Sequence, residues 1–266
     1  MPLITLLTDF GDRDGYGGVM KGAIASICPA AQMIDLTHDI SPQNIAAARF
    51  TLLNAYPYFP PGTIHLVVVD PGVGTARRAI ALQTPSGYLV GPDNGIFSGV
   101  VESVGAIAAV TLTRPRYWRT PTPSATFHGR DIFAPVAAHL AAGVALAEVG
   151  EPCTLSSLVH LALPPVTRTA DHVTGHIQHS DHFGNLITTI PAAIAQQRPW
   201  QLQIGACVIP LGATYGDVPL GGAIALGGSH GWLEIAVNGG SAQARFRLAV
   251  GDPVQLVPPS GEIATP

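Results

Sequence analysis

The residues best placed to do chemistry are aspartates in loops that follow apolar runs. Asp70 closes the run Thr-Ile-His-Leu-Val-Val-Val at 63–69, and Asp9, Asp12 and Asp14 follow the run at 2–8. In an open α/β sheet the ligand crevice lies outside the carboxyl ends of the strands, so these acids stand where a ligand would meet them. An acid at that place is suited to accept two hydrogen bonds from a ribose diol. The structural alternative for Asp12 is a turn or a helix N-cap. An aspartate after three valines carries a desolvation cost unless it is paired. Arg77, across the glycine-containing stretch 72–75, supplies a partner, with a plain ion pair as the alternative reading. His128 stands in Ala-Thr-Phe-His-Gly-Arg-Asp at 125–131, just before a helical stretch, where a lone histidine is ordinarily a cap or a core residue.

Three other patterns carry less. GVGTAR at 72–77 begins like a dinucleotide fingerprint but lacks the third glycine, and a strand rather than a helix follows it. GGSHG at 227–231 fits G-x-S-x-G, yet a strand follows and no histidine comes later, so a hydrolase elbow fails. A glycine-flanked serine still offers a hydroxyl to a ligand. His172, His176, His179 and His182 fall on a strand-like stretch, where His172 and His176 lie about 13 Å apart at ~3.3 Å per residue, too far for one tetrahedral zinc. A solvated strand face is the expectation there, with no metal.

These residues need elements to hold them. Strands are expected at 2–8, 33–36, 63–69, 79–83, 88–91 and 106–112, the fourth and fifth forming a hairpin, with helices at 18–28, 44–56 and 131–142. Strands alternating with helices indicate an α/β layer with a largely parallel central sheet. After Leu-Pro-Pro at 163–165 the pattern changes to short runs and turn residues: strands at 174–179, 186–190, 201–209, 232–237, 244–248 and 253–256, and one short helix candidate at 192–197. That suits a small antiparallel β-barrel-like domain. The chain thus reads as an α/β domain over 1–165 and a β-rich domain over 166–266.

Composition narrows the function classes. Of 266 residues, 47% are hydrophobic and 11% charged, and the net charge is −4. Lys21 is the only lysine and the twelve arginines are scattered, which argues against a nucleic-acid or anionic-membrane surface. No apolar run reaches the ~18 residues of a spanning helix. Met1–Phe10 lacks a positively charged start, so no signal peptide is expected. Cys28, Cys153 and Cys207 are odd in number and far apart, which fits reduced, buried thiols in a cytoplasm.

Six motifs occur in order: TDFG at 8–11, VVDPGVG at 68–74, GPDNG at 91–95, FHGRD at 127–131, DHFGN at 181–185 and SHGWLEIAVNGGSA at 229–242. Together they resemble the S-adenosyl-L-methionine (SAM) hydroxide adenosyltransferases, the water-using relatives of the fluorinase and chlorinase. The resemblance spans nearly the whole chain. It implies an enzyme that converts SAM and water to adenosine and L-methionine without a cofactor, SAM being the substrate. It further implies a homotrimer with sites between the N-terminal domain of one subunit and the C-terminal domain of the next.

Carried over by motif, Asp70, Arg77 and His128 match the catalytic acid, guanidinium and imidazole. Asp9 matches the acid on the ribose diol, and Asp14 and Asp181 those around the methionine ammonium. Ser229 matches a residue at the methionine carboxylate. Phe183 and Asn185 match adenine contacts, with Val237 and Gly239 offering backbone groups, and Glu234 lies in the same run. The halogenases carry a tyrosine at the place of Asp70. His230 stands where the fluorinase has an arginine, which removes a fixed cation from the carboxylate clamp. The FGN motif also lies one residue closer to its aspartate than in the fluorinase. On this reading Asp70 and His128 bind the attacking water and one of them takes its proton; which one is left open. The alternatives are a chlorinase-type halogenase and a SAM- or adenosine-binding protein that does not turn over.

Overall fold

The computed structural model describes residues 1–259. The chain divides into two compact units, Met1–Leu161 and the stretch from Ala162 onward. No helix among the described residues is long and apolar enough to cross a membrane.

The first unit runs β1 (Leu3–Thr8), α1 (Tyr16–Ile27), β2 (Gln32–Thr37), α2 (Ile45–Ala55), β3 (Thr63–Val68), β4 (Ala79–Thr84), β5 (Gly87–Pro92), α3 (Ser98–Val104), β6 (Ala108–Thr111), α4 (Ala134–Ala141), α5 (Leu146–Val149) and β7 (Glu151–Pro152). Its sheet has the order β2-β1-β3-β5-β4-β6-β7. The first four strands are parallel neighbours, and β4, β6 and β7 continue the sheet antiparallel. β3 is buried along its whole length because helices cover both faces. Ile64, Leu66 and Val68 pack in one core with Met20, Ile24 and Phe133, while Val67 and Val69 pack in another with Ala48 and Leu52. A strand alternates its side chains between faces, so a run that is apolar at every position needs two such layers.

The second unit contains β8 (Thr167–Arg168), β9 (Val173–Ser180), β10 (Leu186–Pro191), α6 (Ala192–Ala195), β11 (Gln201–Ile204), β12 (Cys207–Pro210), β13 (Ala223–Gly227), β14 (Trp232–Val237), α7 (Ala242–Phe246) and β15 (Pro253–Val257). The order is β12-β11-β15-β9-β10-β14-β13, with β8 on β9. A bridge from Leu211, just past β12, to Ala225 of β13 brings the two ends of this path together. The result is an antiparallel, nearly closed barrel around Val173, Ile177, Leu202, Leu233 and Ile235.

Several local expectations are corrected. No strand forms at 244–248, where the second half of helix α7 and its end stand instead: the Ser241 hydroxyl accepts the Ala244 N–H, and Arg247 ends the helix with φ 54°. Alternation in Ala-Gln-Ala-Arg-Phe-Arg-Leu imitates a strand, and the serine cap decides otherwise. The expected strand at 201–209 is the hairpin β11–β12, turned at Gly205 with φ 55°. The helix expected from 131 begins with one turn of π-helix, Gly129–Phe133, before α4. The N-cap position of α1 is Gly15, not Asp12, and no side chain caps it. Strict alternation in β9 fails because the register slips opposite Ile187 and Thr188. Both Ile177 and Gln178 are thereby buried, and Gln178 Nε2 donates to the Thr188 carbonyl. Nothing in the sequence signals strand β13 or helix α3. Of the three cysteines expected to be buried only Cys28 is; Cys153 is half-buried and Cys207 exposed.

His65 lies opposite Thr5 across the β1–β3 pair, with Thr5 Oγ1 2.8 Å from its Nδ1. Burial pushes its pKa down to about 4. The unfolded chain therefore binds a proton that the folded one refuses between about pH 6.5 and 4, and stability falls as pH drops through that window. The full effect is about 3 kcal/mol. Denaturant unfolding across this range should give a shallower pH slope in His65→Gln than in the wild type; equal slopes would contradict the assignment.

Candidate active site

β1 and β3 run side by side and parallel, with Thr8 opposite Val68. Asp9 follows β1 directly and Asp70 lies two residues past β3. A cleft of about 230 Å³ opens at these strand ends, lined among others by Asp9, Phe10, Gln43, Asp70, Thr126 and His128.

The Asp70 side chain is 5% exposed and that of Arg77 11%. Arg77 Nε donates to Asp70 Oδ1 at 2.8 Å and to Oδ2 at 3.0 Å, and Nη2 donates to Oδ2. The same Nη2 meets His128 Nδ1 at 2.8 Å. A guanidinium only donates, so His128 must present an unprotonated Nδ1. Burial and the Arg77 charge lower the His128 pKa against the opposite pull of Asp70 and Asp131. The imidazole is therefore neutral near pH 7, with its proton on Nε2. A buried ion pair of this kind gives little net stability, because desolvation cancels most of the attraction. Removing one partner costs ~3–5 kcal/mol, because the other charge is left alone. The trio is a device for holding polar groups in place.

Local sequence explains how the trio closes. Val73 N–H bonds the Asp70 carbonyl and Thr75 N–H the Gly72 carbonyl, and these two turns return Arg77 to Asp70. Gly74 has φ 76°, and a Cβ there would lie 2.2 Å from the Ala125 carbonyl oxygen. Glycine thus lets the 70–77 loop press against the segment that carries His128. Asn94 Nδ2 holds the Val69 carbonyl at 2.8 Å, fixing the end of β3. On the other side Asp131, fully buried, accepts bonds from Arg130, Arg119 and the Ser124 N–H. These bonds, that of Arg130 foremost, hold its carboxyl far below the ordinary range despite burial. Phe10, Tyr16 and Phe127 meet edge to face with centroids 5.3–5.9 Å apart beside the same loops.

Asp9 Oδ2 accepts the Gln43 N–H at 2.8 Å. Gln43 has φ 66°, an uncommon conformation for a residue other than glycine. Its loop is tied down from below: the Thr8 hydroxyl bonds His38 Nδ1 at 2.8 Å, and Gly11 N–H bonds the His38 carbonyl at 2.7 Å. Asp14 is exposed and does not line the cleft.

The second unit has its own cleft, about 510 Å³, lined by Phe183, Asn185, Tyr215, Val237 and Gly239 among others. Four of the residues singled out in the sequence meet here, and Tyr215 joins them. Phe183 is 73% exposed. Asp181 builds the turn beneath: Oδ1 accepts the N–H groups of Phe183 and Asn185, and Oδ2 accepts Asn185 Nδ2. Ser229 is exposed at a turn between β13 and β14. Glu234 is buried and does not line the cleft; Tyr215 Oη donates to its Oε1 and His230 Nε2 bonds its Oε2. Burial alone would raise the Glu234 pKa, but the His230 and Tyr215 bonds leave it below the ordinary value. The Glu234 bond pushes Tyr215 up to about 12. Among the described residues no three His, Cys, Asp or Glu side chains gather as a metal site.

Gln43, Asn94, Asp131 and Tyr215 join the two clefts or their support without a role that the sequence announces. Tyr215 had a signal: Thr214 and Asp217 form a capping box around it, a pattern legible as T-x-x-D. Asn94 and Asp131 sat inside two of the six motifs. Nothing in the sequence marks the backbone of Gln43.

The profile described as SAM hydroxide adenosyltransferase N-terminal domain matches residues 4–150, and the corresponding C-terminal profile matches 175–255. The chain is 40% identical over 256 residues to a protein named (R)-S-adenosyl-L-methionine hydrolase from Salinispora arenicola, covering 96% of this chain and 97% of that one. It is 28% identical over 285 residues to a protein named fluorinase from an Actinoplanes species, covering 94% and 95%. A solved structure of an uncharacterized conserved protein from Thermotoga maritima is similar with a TM-score of 0.88 and 37% identity, covering 96% of this chain and 99% of that chain.

Replacing Arg77 removes the cation from one side of His128 and leaves the Asp70 carboxylate on the other. In Arg77→Gln the His128 imidazole, followed by NMR titration, should titrate at a higher pH than in the wild type. An unchanged or lower midpoint would contradict the geometry.

Proposed function

The chain belongs to the SAM hydroxide adenosyltransferases, and from that premise we propose that it hydrolyses SAM by attack of water at C5′, releasing adenosine and L-methionine. The observation that carries the residue assignment is the single guanidinium bonded to both Asp70 and His128, two residues that line a cleft at the ends of two parallel strands.

C5′ of SAM is a primary carbon with a sulfonium leaving group. Displacement requires the oxygen in line with the C–S bond, opposite sulfur. The departing thioether is neutral, so no general acid is needed. Water is a weak nucleophile, with a pKa of ~15.7. As the O–C bond forms, however, positive charge passes from sulfur to oxygen, and the oxonium so produced is a strong acid. A carboxylate already tied to arginine is base enough for that late proton. Asp70 therefore accepts it, Oδ1 carrying the lighter load of Arg77 bonds. His128 donates from Nε2–H to the water oxygen and fixes its lone pair toward C5′. It is ill placed to take the proton, because Nδ1 faces Arg77. Alignment of this kind and general-base help are separate contributions, the latter typically ~10²–10⁴ in rate.

Asp9 holds the ribose diol; its Oδ1 takes no hydrogen bond from the described residues. Phe183, Asn185, Val237 and Gly239 receive adenine, while Asp14, Asp181 and Ser229 face the methionine end. Asp181 also shapes the turn that carries Phe183 and Asn185, so that part of its action is on the adenine side. The acid–guanidinium–imidazole trio and the aromatic cleft belong to different units. We assign one complete site to two neighbouring subunits of a homotrimer, working in the cytoplasm.

Chromatography of a SAM incubation should show adenosine and methionine, with no 5′-chloro product when chloride is added. Asp70→Asn should lower kcat by ~10²–10⁴. His128→Ala, which removes one donor, should lower it only ~10- to 100-fold. A larger loss in His128→Ala than in Asp70→Asn would make the imidazole the base.

A further inference from the structure

The barrel unit contains a buried carboxylate that touches neither cleft and is fully engaged by its neighbours. β14 alternates: Leu233, Ile235 and Val237 face the barrel core, while Ala236 belongs to a smaller cluster on the other face with Ile224 and Leu226 of β13. Glu234 lies on that second face, 5% exposed, opposite Leu226 on one side and Ile187 on the other. A carboxylate among such neighbours is costly unless its oxygens are satisfied. Both are: Tyr215 Oη donates to Oε1 at 2.7 Å, and His230 Nε2 lies 3.1 Å from Oε2. His230 Nδ1 in turn accepts the Trp232 N–H at 3.2 Å. That fixes the tautomer, because the nitrogen facing Glu234 must then carry the proton.

The two ends of this chain lead to different parts of the ligand surface. Tyr215 lines the 510 Å³ cleft beside Phe183 and Asn185. His230 lies in the turn that carries Ser229, where Gly228 N–H bonds the Trp232 carbonyl and Gly231 N–H the Gly228 carbonyl. The turn wraps the imidazole so closely that a Cβ on Gly228 would lie 2.3 Å from His230 Cε1 and 2.5 Å from Glu234 Oε2. Glycine at 228 is thus required for the contact. On the tyrosine side, the Thr214–Asp217 capping box fixes the turn from which Tyr215 projects.

We propose that Glu234 is a positioning residue, whose bonds to Tyr215 and His230 hold the tyrosine wall of the cleft and the Ser229 turn in one fixed relation, so that nucleoside and amino-acid ends of the substrate are received in register. This rests on the SAM-hydrolase reading above. Because Glu234 acts through residues that bind rather than react, its loss should appear in affinity and leave the chemical step. His230, with both ring nitrogens committed within the unit, serves as a strut and not as a cation for the methionine carboxylate.

A double-mutant cycle on the full-length protein tests this. Tyr215→Phe keeps the ring and removes the hydroxyl. Glu234→Gln keeps the shape but cannot accept from both Tyr215 and His230. Each single variant should raise KM for SAM about tenfold, with kcat within twofold of wild type. The double variant should be no worse than the poorer single, since either change breaks the same chain. Gly228→Ala, which displaces the imidazole, should give the same rise in KM. The Kd for adenosine, by calorimetry, should weaken in parallel in Tyr215→Phe. Unchanged KM in the single variants, strictly multiplicative effects, or a fall in kcat at constant KM would overturn the proposal. A wild-type protein that neither hydrolyses SAM nor binds adenosine would instead overturn the underlying reading.

Discussion

One guanidinium organises the first unit. Arg77 neutralises a carboxylate at the end of a strand covered on both faces, and with the same Nη2 orients an imidazole from a segment 51 residues along the chain. Each neighbour depends on it. Asp70 without a cation is a buried charge, and His128 without a donor at Nδ1 is free to choose its tautomer. The surrounding sequence serves this closure: tight turns over 70–77, a glycine against Ala125, an asparagine on the last strand carbonyl, and Asp131 gathering two arginines behind the histidine. The consequence for chemistry is a division of labour. The carboxylate keeps an oxygen edge for a proton, and the imidazole is confined to donation.

The barrel unit also has a charged hub. There a buried carboxylate is held by a tyrosine hydroxyl and an imidazole. Asp181, too, is consumed by backbone and side-chain donors of its own turn, so that Phe183 projects outward from a rigid base. In both units the acids that dominate the motifs spend most of their hydrogen-bonding capacity on protein. What they offer a ligand is chiefly the geometry they impose on a neighbour.

Much of this is legible in the amino-acid sequence. The uninterrupted apolar run ahead of Asp70 demands a strand buried on both faces, which places its carboxyl end at the crevice of an α/β sheet. The seven-residue spacing to Arg77, with glycines between, allows the pair, and the six ordered motifs point to the family. Other features are not legible because they are decided by tertiary hydrogen bonds. The tautomer of His128 depends on which nitrogen Arg77 reaches. The π-turn at Gly129–Phe133 looks, in sequence, like the start of an ordinary helix. The alternating residues at 244–248 form no strand, because a helix capped by the Ser241 hydroxyl runs over Ala242–Phe246 and ends at Arg247. Gln43 reaches Asp9 through a backbone conformation that its side chain does nothing to announce. The place of Glu234 in a motif suggests a ligand-facing residue, whereas its strand register turns it toward Tyr215 and His230.

The proposed chemistry rests on a solvent oxygen, and not the carboxylate itself, forming the new bond to C5′. Single-turnover hydrolysis of SAM in H₂¹⁸O, with enzyme in excess and the products weighed by mass spectrometry, addresses that bond alone. The 5′-hydroxyl of the first adenosine formed should carry the heavy oxygen. Unlabelled adenosine in that first turnover would mean that Asp70 attacks as a nucleophile and that the oxygen comes from the protein, which would contradict its role as the base.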